Sequence, residues 1–179
     1  MRRLKRARAP AGDEGARATR SAELRPFFRS LPMALLRARE AVMRHFRPSL
    51  QPFGLTEQQW RTLRALDGGD EIDATRLAAL TFLLAPSLTR ILRDLEARRI
   101  VARRTDPKDG RAALISLTSK GAALLAEVGV ESERIYARIE ERLGRTRMKA
   151  LMATLAQVEA DLSELAPEAC DRNGGQGHR

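Results

Sequence analysis

The chain has 179 residues, with 43% hydrophobic but only 4% aromatic content, so we expect one domain whose core is built from aliphatic side chains. Its formal net charge of +10 at pH 7 favours a polyanionic partner, either nucleic acid or an acidic membrane surface. A single cysteine, Cys170, excludes an intrachain disulfide and is typical of a reducing cytoplasm.

The sequence offers little for enzymatic chemistry. It has two histidines, His45 and His178, and lacks an HExxH motif, a CxxC pair, a glycine-rich phosphate loop and a GxSxG elbow. The longest uncharged run, Leu77 to Thr89, is too short to span a bilayer, and the basic start resembles no secretory signal. We therefore expect a cytoplasmic protein that is not an enzyme, needs no cofactor or metal and does not associate with a membrane.

Both ends of the chain are predicted to be disordered. Residues 1–25 carry eight basic residues against three acidic ones and show no apolar period. They either bind DNA non-specifically or form a solvated tail. Residues 167–179 are polar and rich in glycine, so the folded part is expected to lie between these two tails.

Residues 28–47 predict a long first helix. Its apolar seam consists of Leu31, Leu35, Ala38, Val42 and Phe46. Arg39 shares that face, and Ser30 is an N-cap or first-turn residue. Pro48, Pro52 and Gly54 are expected to break the chain after it.

The next segments predict a helix-turn-helix unit. Residues 56–67 form a helix that opens with a capping box, in which Thr56 caps the first turn and Gln59 reaches back to it. A short strand at 71–72 precedes a third helix at 74–82. A tight turn then leads into a fourth helix, and two short helices joined in this way are the helix-turn-helix unit.

The fourth helix, beginning near Ala85, is predicted to read DNA. Its buried face consists of four apolar side chains at helical spacing: Leu88, Ile91, Leu92 and Leu95. The strand-like segments 100–104 and 112–117 follow, and the charged loop 106–111 joins them into a hairpin. Such a helix fits the major groove, and the hairpin tip reaches the neighbouring backbone or minor groove.

Eight side chains of this helix and hairpin are predicted to contact DNA: Ser87, Thr89, Arg90, Arg93, Arg104, Lys108, Asp109 and Arg111. Arg90 and Arg93 would contact base edges or nearby phosphates. The two hydroxyl residues would bind phosphate at the helix start, and Arg104 and Lys108 would add phosphate contacts. Arg111 would enter the minor groove, with Asp109 orienting its guanidinium. The prediction rests on the clustering of positive charge along one segment, because residues 98–111 hold six basic residues against two acidic ones.

Two further helices complete the chain. Thr118 is predicted to cap a helix over 119–143, and Gly144 separates it from a sixth. The sixth helix has a narrow coiled-coil-like seam: Met148, Leu151, Leu155, Val158, Leu162 and Leu165. The seam needs a partner helix, either within the chain or in a second copy. With the first and fifth helices it suggests a homodimer, which would bind a two-fold DNA site with half-sites about one turn apart.

The segment LTRILRDLEARRIVARRTDPKDGRAALISLT (residues 88–118) resembles the signature of the multiple antibiotic resistance regulator (MarR) family of bacterial repressors. Its Asp-x-Arg pair is Asp109 and Arg111. Upstream, SLPMALLRAREAVMRHFRP and GLTEQQWRTLRAL are similar to the branch named for the homoprotocatechuate-degradation operon regulator. The resemblance covers roughly residues 28–165. One departure is Arg99, where the family usually has a glycine that takes the left-handed conformation ending the reading helix.

We therefore expect a mainly α (α+β) fold. Residues 56–118 would form a winged helix-turn-helix DNA-binding domain, and residues 28–55 and 119–166 the helical dimerisation region. The resemblance implies a repressor that acts on the nucleoid and controls an aromatic-compound catabolic operon.

The resemblance also implies that a small aromatic compound, often an acid, binds where the dimer helices meet the reading helix and displaces the protein from DNA. The effector would be of the hydroxyphenylacetate, hydroxycinnamate or hydroxynicotinate kind. Arg39 lies on an apolar helix face, and burying its charge without a partner would cost free energy. We therefore expect it to pair with a carboxylate, either from the ligand or from an Asp or Glu of the protein. Ser30, Trp60 and His45 would line the cavity, although His45 also fits a plain helix surface.

Two other functions are consistent with the residues. A DNA-architectural protein without an effector would bind many sequences alike and ignore every acid. A protein-interaction module using the terminal helices would be monomeric in isolation and show no salt-dependent affinity for DNA.

Overall fold

The computed structural model describes residues 26–107 and 113–164. Its helices are α1 (Leu31–Leu50), α2 (Glu57–Ala65), α3 (Ala74–Thr81), α4 (Ala85–Ala97), α5 (Ser119–Leu143) and α6 (Arg145–Ser163). Its strands are β1 (Ile72–Asp73), β2 (Val101–Thr105) and β3 (Ala113–Leu117), and short 3-10 turns at Phe27–Arg29 and Gln51–Phe53 flank α1. The predicted mainly α (α+β) class is confirmed.

The chain divides into two compact units, Met1–Met43 and Arg44–Arg179. The described part of the first unit is the turn at Phe27–Arg29 and the greater part of α1. Its large apolar side chains are exposed: Phe27, Phe28, Leu31, Leu35, Leu36 and Val42. The apolar seam predicted for the first helix is therefore left largely uncovered in the single chain.

The end of α1 differs from the prediction, because Pro48 lies inside the helix instead of breaking it. A proline removes one backbone N–H, and so near the C-terminus of the helix it costs only one intrahelical hydrogen bond. Buried Leu50 belongs to the core of the second unit, and the ring of Phe46 packs at 4.9 Å from that of Tyr136. The chain breaks instead at Gly54, which has a φ of 60°.

Polar side chains cap three helices of the second unit. The predicted capping box of α2 is confirmed, since Gln59 N donates to Thr56 Oγ1 (3.2 Å) and Thr56 N donates to Gln59 Oε1 (2.8 Å). Thr118 caps α5, as predicted, by accepting from Gly121 N at 3.0 Å. Asp73 caps α3 by accepting from Arg76 N at 2.9 Å.

The three strands form one antiparallel sheet in the order β1–β3–β2. Val101 lies opposite Leu117 at one end of the hairpin, and Ile72 of the short first strand lies opposite Ile115. The core packs against this sheet and contains fifteen buried residues: Leu50, Leu55, Trp60, Leu63, Leu66, Leu77, Leu88, Ile91, Leu92, Leu95, Ile100, Val101, Ile115, Leu125 and Val128. As the composition predicts, it is almost entirely aliphatic.

Helix α4 ends in a Schellman motif, although the glycine usual at that position in the family that the chain resembles is missing. Arg99 takes the left-handed conformation with a φ of 56°. Its N–H donates to Glu96 O at 2.8 Å, and Ile100 N donates to Leu95 O at 2.9 Å, which are the two bonds of that motif. The tight turn is therefore kept, at a conformational cost that glycine would not carry.

We expect Arg99→Gly to raise the free energy of unfolding by about 0.5–1 kcal/mol, because glycine adopts the left-handed region without strain but loses more entropy on folding. Chemical denaturation measures the difference. Ala97→Gly is the matched control: it places the same residue at a helical position and should lower stability by about 1 kcal/mol. If both variants were less stable than the parent, the conclusion that the left-handed conformation of Arg99 is strained would be wrong.

Helices α5 and α6 differ in how much of them the single chain buries. Helix α5 buries Leu125, Val128 and Ile135, whereas α6 has no buried residue among those described. Large apolar side chains of α6 are exposed: Leu151, Met152, Leu155 and Leu162. Of the seam predicted for the sixth helix, Leu151, Leu155 and Leu162 are therefore exposed and Met148 and Val158 are half-buried, while Leu165 lies outside the described residues.

Candidate functional site

Helix α4 is held in the second unit by its apolar face. Leu88 and Leu95 are 2% and 0% exposed, and Ile91 and Leu92 are also buried. The polar residues of the same helix lie on its other side and are all exposed: Ser87, Thr89, Arg90 and Arg93. The division into a buried apolar face and an exposed polar face is as predicted.

Arg90 and Arg93 point their charges outward from α4. Within residues 26–107 and 113–164, neither guanidinium has a hydrogen-bond or ion-pair partner. Three residues apart on a helix, they occupy neighbouring positions on one face. Two unneutralised cations on a rigid helix face form a surface suited to an anion or to the acceptor atoms of base edges.

Asp94 of α4 and Arg98, the residue that directly follows α4, form hydrogen bonds to neighbouring segments. Asp94 Oδ2 accepts from Gln59 Nε2 at 2.7 Å, which ties α4 to the start of α2. Arg98 donates from Nη1 to Gly54 O at 2.9 Å and from Nη2 to Phe53 O at 3.0 Å. These bonds, together with the buried apolar face, hold α4 against the segment before α2 and the start of α2.

The two hydroxyl groups predicted to bind phosphate lie in the first half of α4. Thr89 Oγ1 donates to Ala85 O at 2.9 Å, so its proton is directed along the helix. Ser87 is exposed in the first turn, where backbone N–H groups and the helix dipole favour anions. Phosphate binding by both residues stays a prediction.

Near the C-terminal end of β2, Arg104 forms a bidentate ion pair with Glu71. Glu71 adjoins β1 and Arg104 lies in β2, so the pair crosses the central strand β3. The hydrogen bond from Arg104 holds the pKa of Glu71 below its ordinary value, and the same bond raises the pKa of Arg104. Arg104 therefore presents less net charge to a phosphate than the sequence suggests, and its DNA contact stays a prediction.

The tip of the hairpin falls outside the described residues. The gap at 108–112 includes Lys108, Asp109 and Arg111, so the predicted phosphate and minor-groove contacts of the tip stay predictions. The strands on either side of the gap are described, and their last pair is Thr105 with Ala113.

The four residues predicted to bind an effector fall in different units. In the first unit, Ser30 Oγ donates to Phe27 O at 2.8 Å, and Arg39 Nη1 pairs with Glu40 Oε1 at 2.9 Å. In the second, His45 is exposed, whereas Trp60 is 8% exposed within the core. Their role in binding a ligand stays a prediction.

Two features of the site escape sequence reasoning. Phe82 and Leu84, in the turn before α4, are 82% and 78% exposed. The sequence feature that could have indicated them is the apolar run Phe-Leu-Leu at residues 82–84, in a turn where polar residues are usual. The partnership of Glu71 with Arg104 depends on the strand order, which spacing along the chain does not reveal.

Residues 26–107 and 113–164 were compared with the requirements of a membrane-spanning helix and of a metal site. No single helix there is long and apolar enough to cross a bilayer; only α3 and α4 together reach that length, and they are bent by 107°. The described residues also bring together no group of three or more His, Cys, Asp or Glu that could hold a metal ion.

Comparison with known proteins places the chain among bacterial regulators. Residues 53–112 match the model of the MarR family. The chain is 42% identical over 137 residues to the HTH-type transcriptional regulator FarR of Neisseria gonorrhoeae, a match covering 75% of this chain and 94% of the relative. It is 40% identical over 128 residues to the homoprotocatechuate degradative operon repressor of Escherichia coli, covering 72% and 86%.

Solved structures of the same kind superpose on the fold. The crystal structure of NadR in complex with 4-hydroxyphenylacetate has a TM-score of 0.70 at 38% identity and covers 76% of this chain and 100% of that one. CouR bound to a 23-mer DNA duplex has a TM-score of 0.68 at 32% identity and covers 77% and 99%. The resemblance predicted from residues 28–165 is confirmed, including the similarity to the homoprotocatechuate branch.

Proposed function

The chain belongs to the MarR family of transcriptional regulators, and from this premise we propose that it is a repressor that binds a palindromic operator as a homodimer and leaves it when a small aromatic acid binds. It would act in the cytoplasm, on the nucleoid, and control an aromatic-compound catabolic operon. One observation carries the proposal: Arg90 and Arg93 stand exposed on the outer face of an α4 that is anchored on its other sides.

The DNA-binding part follows from the chemistry of that face. Arginine forms bidentate hydrogen bonds with guanine O6 and N7, which are accessible in the major groove. The apolar face of α4 is buried, so the helix meets a partner only through its arginine-bearing side. Arg104 and the hairpin tip would add contacts to neighbouring phosphates or to the minor groove.

The homodimer follows from apolar surface that one copy leaves uncovered. In the first unit Phe27, Phe28 and Leu31 are at least half exposed, and in the second α6 exposes Leu151 and Met152. Apolar side chains repeated along helices at this density mark an interface. A second copy would cover them and present two α4 helices to successive turns of DNA.

The effector part rests on Arg39 and on what related proteins bind. Arg39 pairs with Glu40, its neighbour in sequence, with both side chains about two-fifths exposed, and such a pair stabilises little. A ligand carboxylate could replace Glu40 at small cost. Among the related structures, NadR is in complex with 4-hydroxyphenylacetate, which carries a carboxylate, whereas CouR is bound to p-coumaroyl-CoA, the thioester of an aromatic acid. Release of DNA requires the acid to prefer one form of the dimer. It must bind more tightly to the form in which the spacing of the two α4 helices prevents DNA binding than to the form that binds DNA.

Effector release is tested on a duplex selected from a random pool by the purified protein. With fluorescence anisotropy at fixed salt, we expect at least one of 4-hydroxyphenylacetate, 4-hydroxycinnamate and 6-hydroxynicotinate to release the protein. The alcohol analogue that lacks the carboxylate should fail. Arg39→Gln should bind the duplex normally but need about 10- to 100-fold more acid, since it loses a charge-assisted hydrogen bond.

Arg37→Gln, exposed on the same helix, is the matched control and should respond like the parent. Equal binding to all duplexes with no response to any acid would instead identify an architectural protein. A monomer without salt-dependent DNA affinity would identify an interaction module.

A further inference from the structure

The turn between α3 and α4 exposes two large apolar side chains. Phe82 and Leu84 are 82% and 78% exposed, the two highest exposures among the large hydrophobic residues described. Leu83, between them, packs against the core and anchors the turn. The two side chains are therefore held outward on either side of a fixed residue.

Phe82 has a backbone conformation that its side chain disfavours. Its φ of 51° and ψ of 38° are left-handed, and its N–H closes the end of α3 on the carbonyls of Ala78 and Ala79. Glycine or asparagine usually takes this position, because a bulky side chain there is strained. Strain at a bulky, solvent-exposed residue points to a function for the side chain.

Leu84 breaks a second local rule. It is the N-cap of α4, but it has no side chain that can accept a hydrogen bond from the first turn. The helices α2, α3 and α5 are instead capped by Thr56, Asp73 and Thr118. Serine, threonine, asparagine or aspartate would stabilise the start of α4 better than leucine does. Neither Phe82 nor Leu84 is therefore the residue that folding alone would favour.

We propose that Phe82 and Leu84 contact the 5-methyl group of a thymine in each half-site, beside the bases read by Arg90. This inference rests on the proposed function. The thymine methyl is the apolar group that bases present in the major groove, and Phe is among the side chains suited to it. The N-terminal residues of a recognition helix are those that reach base edges, and Leu84 directly precedes Ala85, the first residue of α4.

DNA fits this surface better than a second copy of the chain. Two side chains cannot supply the roughly 800 Å² per partner that a stable protein interface buries. Ser87 and Arg90 also follow Leu84 at intervals of three residues, which places them on one side of α4, and all three are exposed. An apolar contact at the edge of a basic surface is the arrangement that a thymine beside a guanine would require.

The test replaces each thymine of the selected duplex in turn by deoxyuridine, which pairs identically but lacks the methyl group. We expect one position in each half-site at which the parent protein binds roughly fourfold more weakly, the loss for one buried methyl group. Phe82→Asn and Leu84→Ser should weaken binding to the thymine duplex and lose this discrimination. Both substitutions suit the local backbone, so the variants should fold and unfold at a temperature no lower than the parent.

Leu80→Gln is the control, because Leu80 is half exposed on α3 but outside the turn; it should keep the discrimination. Absence of any methyl-dependent position, or discrimination that persists in both variants, would overturn the inference. So would dissociation of the dimer in Phe82→Asn, which would place the ring in a protein interface. If the parent selects no duplex at all, the proposed function itself fails; selective binding without methyl dependence refutes only this inference.

Discussion

Gly121→Ala is expected to lower the free energy of unfolding by about 3 kcal/mol, the upper end of what overpacking usually costs. A Cβ at this position would lie 2.1 Å from Ile100 O and 3.1 Å from its carbonyl carbon. Both are backbone atoms, so no rotamer change can relieve the clash. Ile100 O also accepts from Thr118 N at 3.1 Å, and any shift there would disturb the junction between α5 and the strand that follows α4.

Gly129→Ala is the matched control in the same helix. A Cβ at Gly129 meets nothing within 4 Å, so alanine should raise stability by about 1 kcal/mol through its better helix propensity. Denaturant unfolding of the three proteins measures both changes. If Gly121→Ala were as stable as the parent, the close approach of α5 to the backbone of Ile100 would be wrong.

The double variant Arg90→Ala, Arg93→Ala should lose at least about 100-fold in affinity for the selected operator. Each base-specific contact is worth about 1–3 kcal/mol, and a homodimer presents each arginine twice. Stability should hardly change, because both side chains are exposed and have no partner in the described part of the chain. Anisotropy titration at constant salt gives the affinity, and thermal unfolding checks the fold.

A control must separate the effect of losing positive charge from the effect of losing contacts to bases. Arg138→Ala with Arg142→Ala removes the same charge from exposed positions of α5 and should weaken binding only slightly, through long-range electrostatics. If specific binding survives in the Arg90, Arg93 variant, or falls equally in both double variants, the assignment of α4 as the reading helix is wrong.

Much of the fold was predictable because its signals are local. The capping box of Thr56 and Gln59, the Thr118 cap and the buried face of α4 depend on spacings of three and four residues, and all three are confirmed. The helix running through Pro48 was not predictable, because its end is fixed by contacts with residues distant in sequence. The left-handed turn at Arg99 likewise follows from the packing of Ile100, which outweighs the local preference.

The site was predictable in part for the same reason. The exposure of Arg90 and Arg93 follows from helix periodicity, whereas the pairing of Arg104 with Glu71 requires knowing that β3 lies between β1 and β2. The role of the apolar turn was also hidden, because a sequence shows an apolar residue without showing whether it is buried. The four effector residues stay a prediction: Ser30 and Arg39 bond to near neighbours in the sequence, and spacing along the chain does not reveal which side chains share a cavity.

Guanine methylation by dimethyl sulfate on the selected operator is the most direct measurement, because the reagent attacks guanine N7 in the major groove. We expect protected guanines in two clusters about one helical turn apart, and loss of that protection when Arg90→Ala, Arg93→Ala is added at a concentration that still occupies the duplex. An operator bound specifically while its guanine N7 atoms all remain reactive would contradict major-groove reading by α4.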